Sequence, residues 1–142
     1  MSVFKPKNKD YIKPIDETDL YVLFKEFEDV FLFEKDTNKE LWRTSFYGEA
    51  TCGLISLTTD WIVVGGNHMA LWENRKLEII NDENLKWIFD IRQVGDYEIE
   101  ILTDPWSENS AIWKFNILNK SKIKIRNFEE YKKKEYTDNV KW

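Results

Sequence analysis

From residue 41 to residue 128 the chain is a succession of short apolar-rich runs, in many of which apolar and polar residues alternate. Alternation with a period of two puts successive side chains on opposite faces of an extended strand. It predicts strands at residues 41–47, 50–57, 61–65, 69–73, 77–80, 87–94, 97–103, 111–118 and 123–128. The connections are short and carry Gly, Asn, Asp or Ser, the residues that turns favour. Parallel crossovers need about a dozen residues or more, so these strands must pair antiparallel. The pattern predicts a mainly β fold: an antiparallel β-sandwich, barrel or strongly bent meander sheet with one or two short helices.

The second half alternates most cleanly. Trp87, Phe89 and Ile91 share one face against Ile88, Asp90 and Arg92. Tyr97, Ile99 and Ile101 oppose Glu98 and Glu100, and Trp113, Phe115 and Ile117 oppose Lys114 and Asn116. Ile123 and Ile125 oppose Lys122, Lys124 and Arg126. A four-stranded meander with one apolar and one charged face accounts for all four runs. A one-residue slip would mix the faces. A bulge, or a three-residue turn at Val94, Gly95 and Asp96, avoids this; the three-residue turn pairs Ile91 with Ile99, Phe89 with Ile101 and Arg92 with Glu98. By the same logic Ile101 faces Trp113 and Glu100 faces Lys114.

Elsewhere the pattern changes. Residues 1–17 read as an irregular lead-in broken by Pro6 and Pro14. Leu20, Leu23, Phe24 and Phe27 recur at helical spacing behind Thr18 or Asp19, which predicts a capped helix over 18–29. Residues 30–33 read as a strand and 35–39 as a turn, and 129–142 read as a basic tail or short final helix of a single β-rich domain. Residues 60–72 have the flavour of a propeller blade. A propeller, however, needs at least about four blades of some forty residues. This chain holds three at most and the segment does not recur, so a Gly-turned hairpin that brings Trp61 and Trp72 together is the better reading.

Composition narrows the class. Hydrophobic residues make up 42% and charged residues 33%, the balance of a folded chain rather than a disordered one. Seven Trp, six Tyr and nine Phe weight it further toward sheet. The single cysteine, Cys52, excludes an intrachain disulfide. No apolar stretch at the N-terminus has signal-peptide length, and no run of about 18 apolar residues could span a membrane, so the expected location is cytoplasmic. The net charge of −5 is unevenly spread. Residues 15–36 carry eight carboxylates against two lysines, and 37–119 carry thirteen against seven basic residues. Residues 1–14 carry four lysines against one carboxylate, and 120–142 eight basic residues against four. An acidic body with basic ends repels nucleic acid and attracts basic partners.

Little in the sequence carries chemistry. His68 is the only imidazole, sits in a probable turn and has no metal-ligand spacing around it. Cys52 lies in a strand and reads as a buried, inert thiol. Glu98 and Glu100 share a face as a hydrolase pair would, but Arg92 and Lys114 opposite them make a salt-bridge ladder the better explanation. No nucleophile elbow, phosphate loop or dinucleotide fingerprint is present, so neither an enzyme nor a cofactor is expected. The most distinctive segment is residues 104–110, a polar loop, long for a hairpin, with a central Trp106 between Asp104 and Glu108. Aromatic residues flanked by acids are frequent interface anchors, which makes Asp104, Trp106 and Glu108 the expected partner-binding residues.

With its ring-rich hairpin at 61–72 and the acidic, aromatic stretch at 104–108, the chain resembles the small immunity proteins that accompany bacterial polymorphic or contact-dependent toxins. The resemblance implies a non-catalytic module that binds and neutralises a basic toxin. The alternatives are a carbohydrate- or small-ligand-binding β-sandwich, for which Trp rings would be stacking platforms, and a structural or adaptor subunit.

Overall fold

The computed structural model describes residues 13–142. Twelve strands form three separate four-stranded antiparallel meanders. The first contains β1 (Lys13–Glu17), β2 (Tyr21–Glu26), β3 (Asp29–Glu34) and β4 (Lys39–Ser45). The second contains β5 (Cys52–Ile55), β6 (Trp61–Gly65), β7 (Met69–Glu73) and β8 (Lys76–Ile80). The third contains β9 (Ile88–Gly95), β10 (Glu98–Thr103), β11 (Ala111–Asn116) and β12 (Lys122–Asn127). Each sheet keeps its strands in chain order, and the first strands of the three sheets lie against one another, β1 against β5 and β5 against β9.

The mainly β, antiparallel character expected from the alternation is what the chain adopts. The unit does recur, contrary to the sequence reading. First strands begin at residues 13, 52 and 88, a repeat of topology without a repeat of sequence. Packing explains why the eye misses it. The middle sheet is covered on both faces, so β6 is apolar throughout and does not alternate. Trp61 faces the third sheet in a core with Ile99, Ile101 and Phe115, whereas Trp72 faces the first sheet with Leu32 and Val64. The hairpin is therefore present, but its register sets Trp61 opposite Glu73 and Ile62 opposite Trp72, and the two indoles lie on opposite sides of the sheet.

The helix expected over 18–29 is replaced by the β2–β3 hairpin, and no helix occurs among the described residues. The cap chemistry forms, but in a turn: Thr18 Oγ1 accepts from the Tyr21 and Leu20 amides at 3.2 and 3.3 Å. Chain reversal falls at Phe27, which takes a left-handed φ of 54°. Val22 and Leu23, on opposite faces of β2, are both buried. A strand covered on two sides needs apolar residues at consecutive positions, and this imitates helical spacing. Of the expected lead-in, residues 1–12 lie outside the described residues. The remainder is β1, an edge strand where Pro14 is tolerated beside a register shift.

In the third sheet Ile101 pairs with Trp113 and Glu100 with Lys114, as the alternation requires. The β9–β10 hairpin turns differently from expectation: Ile91 pairs with Ile101 and Arg92 with Glu100, with irregularities at both ends of the pairing. One of them, near Phe89, breaks the period of two. Ile88 and Ile91 enter the core, Phe89 joins the far face, and Trp87 is left outside the strand. The salt-bridge ladder is present as Arg92–Glu100 at 2.7 Å and Lys114–Glu98 at 3.3 Å. Ile123 and Ile125 are exposed, because β12 is the outer edge strand. Residues 128–142 contain no helix and do not trail into solvent. Phe128, Tyr131, Val140 and Trp142 pack on Leu102, Ile112 and Phe89, covering the far face of the third sheet.

Candidate functional site

In a four-stranded meander the middle turn and the link to the next sheet fall at the same end. The β2–β3 and β6–β7 turns, the β10–β11 loop, both inter-sheet links and the start of the C-terminal segment thus gather at one end of the molecule. They are stitched together by backbone hydrogen bonds. Ile88 N donates to Gly66 O at 2.8 Å, Thr51 N to Gly65 O at 2.8 Å, and Asp104 N to Trp87 O at 2.9 Å. Thr51 Oγ1 also donates to Ile88 O. These bonds require the second and third sheets to approach closely at Gly65, where an added Cβ would lie 2.7 Å from Ile88 Cγ2.

Between these loops runs a groove of about 890 Å³. Its charged lining is four carboxylates, Glu49, Asp90, Asp104 and Asp138, against one cation, Lys25. Each carboxylate has a local contact. Asp90 accepts from the Trp142 indole at 3.0 Å, Asp104 from the Trp106 amide at 3.0 Å, and Asp138 from the Tyr136 hydroxyl at 2.8 Å, while Glu49 stands 4.0 Å from Lys25 Nζ. A carboxylate offers about four lone-pair positions, so each keeps acceptor capacity toward the groove.

The rings are of two kinds. Trp106 is half-buried and braced by Tyr136 at 4.9 Å, Phe89 at 5.6 Å and Tyr131 at 6.1 Å between ring centroids, so it forms a wall. Trp87 and Tyr47 stand free, 56% and 76% exposed, edge to face at 6.4 Å. Trp87 also has a φ of 53°, unfavourable for a bulky residue, and its backbone is held on both sides, by Asn67 O at 3.2 Å and by Asp104 N.

Of the residues expected from sequence, Asp104 and Trp106 line this groove. Asp104 also borders a smaller neighbouring depression of about 470 Å³ that contains Glu108 and the edge of Trp87. Sequence reasoning missed Trp87 and Tyr47. Trp87 fell in phase with Phe89 and Ile91, and only the irregularity near Phe89 ejects it. The available signal for Tyr47 was the adjacent Gly48, a turn residue that takes a left-handed φ of 74° in the link that follows β4.

His68 and Cys52 flank the groove from inside. His68 stacks on Phe46 at 4.3 Å, and burial, reinforced by Lys86, holds its pKa below the ordinary value. Burial pushes the Cys52 thiol up to about 12, against the weaker effect of its Thr51 contact, so no thiolate forms at neutral pH. Among the described residues no three His, Cys, Asp or Glu side chains group as a metal site.

No family model matches the chain, and no curated protein matches it. Among solved structures, the WD40 β-propeller domain of Doa1 is similar to it with a TM-score of 0.57 at 9% identity. The alignment covers 80% of this chain and 38% of that one. At this identity the likeness concerns the fold: three consecutive blade-like sheets, spanning about two fifths of the length of that propeller chain.

Proposed function

We propose that this chain is a non-catalytic protein-binding module that captures a basic partner at the groove between its inter-sheet loops, and that it serves as an immunity protein neutralising a basic toxin. The observation that carries the reading is the groove itself, where four carboxylates and two unbraced rings face solvent together on a frame locked by backbone hydrogen bonds. Rigid rings and an acidic surround are what a basic interface requires: the rings supply contact area, and the charge draws the partner in. Asp104 belongs to the charged rim of the groove, Glu108 to the depression beside it, and Trp106 forms the wall.

The test is binding of the cognate partner, captured from the native cell, by rapid mixing across a salt series, together with assay of the partner's activity in the complex. Replacing Asp104 by Asn together with Glu108 by Gln should slow association with little change in dissociation. Trp106→Ala should speed dissociation by removing the brace of the wall. If the partner stays fully active when saturated, the neutralising role is wrong. If neither variant alters either rate constant, the groove is not the contact surface.

A further inference from the structure

The chain builds one recognition unit three times for internal use. Arg92 lies 4.0 Å from the centre of the Trp142 ring while its guanidinium bonds Glu100 at 2.7 Å. Arg43 lies 4.7 Å from the centre of the Phe31 ring and bonds Glu40 at 2.6 Å. Arg126 lies 5.2 Å from the centre of the Phe128 ring and bonds Glu130 at 2.8 Å. In all three, a guanidinium is held by a ring face and a carboxylate. Lys122 takes a similar place beside Trp113 and Asp82, but arginine suits the combination better, because its planar cation stacks on rings and still presents a fork of donors to an oxygen pair.

At the groove the same components recur without the guanidinium. Trp87 and Tyr47 meet edge to face, an arrangement that leaves ring faces open. Glu49 and Asp104 belong to the same lining, and its one cation among the described residues is Lys25, which already donates to Ala50 O at 3.2 Å. We propose that the Trp87–Tyr47 pair, with Glu49 and Asp104, is a seat for an arginine side chain of the basic partner. This deepens the groove reading above and rests on it. Backbone restraint on Trp87 fixes one ring before binding, so little ordering is required when the cation enters.

The experiment is calorimetric titration of the full chain with two probes, a hexa-arginine and a hexa-lysine peptide, at two salt concentrations. Hexa-arginine should bind at least about tenfold more tightly, since both probes carry the same charge and only arginine combines stacking with a fork. Trp87→Ala should erase most of that preference and Trp87→Phe should keep most of it. Should Trp87→Ala fail to fold by circular dichroism, Tyr47→Ala, at a largely exposed loop ring, gives the same reading. Equal affinity for the two peptides, or a preference that survives both ring deletions, overturns the arginine seat. So does the absence of binding by either peptide. Those failures leave the groove reading standing if Asp104→Asn with Glu108→Gln still slows capture of the cognate partner; if capture too is unaffected, both fall.

Discussion

Phe115 is buried between the second and third sheets, in the core that contains Trp61, Ile99 and Ile101. Its truncation in Phe115→Ala should cost about 3–5 kcal/mol, read from urea or guanidinium midpoints at unchanged slope. His68 makes a different residue-scale prediction. Its folded-state pKa lies below the ordinary value, so the folded form disfavours the proton. The associated stability is fully present above about pH 6.5 and is lost as the pH falls through the folded value. The denaturation midpoint should therefore decline between about pH 7 and pH 5, and His68→Gln should flatten that decline. Asp60 adds nothing in this window. Burial pulls its pKa up, but hydrogen bonds from Thr58, Tyr97 and Ser56 together hold it below the ordinary carboxylate value, so its contribution is lost only in stronger acid. For Cys52, which is partly buried, the raised pKa should make labelling of the native chain by a thiol reagent much slower than labelling of the unfolded chain, and Cys52→Ala should leave partner binding unchanged. Rapid labelling of the native chain would contradict this.

At the scale of elements, the decisive contact is between sheets. Gly65 ends β6 where Ile88 opens β9, and a methyl group there would press on Ile88 Cγ2 at 2.7 Å and Cys52 Sγ at 3.0 Å. Gly65→Ala should destabilise by about 1–3 kcal/mol through overpacking. Adding Ile88→Ala should cost less than the sum of the two single changes, because the second removes the group that clashes. Strict additivity in denaturant titrations would show that the sheets are not pressed together at this point. Short side-chain links reinforce the same seams. Asp16 Oδ2 accepts from the Ile55 amide at 2.8 Å, Gln93 Oε1 accepts from the Leu57 amide at 3.0 Å, and the Trp61 indole donates to Asp96 O at 2.9 Å. Such links make each sheet depend on its neighbour, which is why no strand run in isolation announces a blade.

For the whole molecule, charge is the relevant quantity. On the proposed reading, the carboxylates of the groove would steer a basic partner over distances comparable with the Debye length, about 10 Å at 0.1 M salt and about 3 Å at 1 M. Association with the partner should accordingly slow as salt rises while dissociation changes little. A salt-indifferent association rate would assign the acidity to solubility alone. The C-terminal segment contributes here too. It supplies Tyr136 and Asp138 to the groove, and Lys132 ties it to Glu108 O at 3.0 Å, so the groove depends on the far face of the third sheet being covered.

By itself the sequence determined the strand at 30–33 and those from residue 41 onward, the antiparallel pairing, the charge ladder of the third sheet and the loop that borders the groove. These rest on side chains one, two or three positions apart, so the period is written locally. Tertiary structure decided what depends on distant surfaces. Whether Val22 and Leu23 mark a helix or a strand depended on a second sheet arriving to bury the other face of β2. The placement of Trp61 and Trp72 in different cores depended on neighbours on both sides of one hairpin. Trp87 reached the groove because Ile88, pressed against Gly65, took the core position that strict alternation would have assigned one residue earlier. Burial depends on what lies across the gap, and a local period carries no information about that.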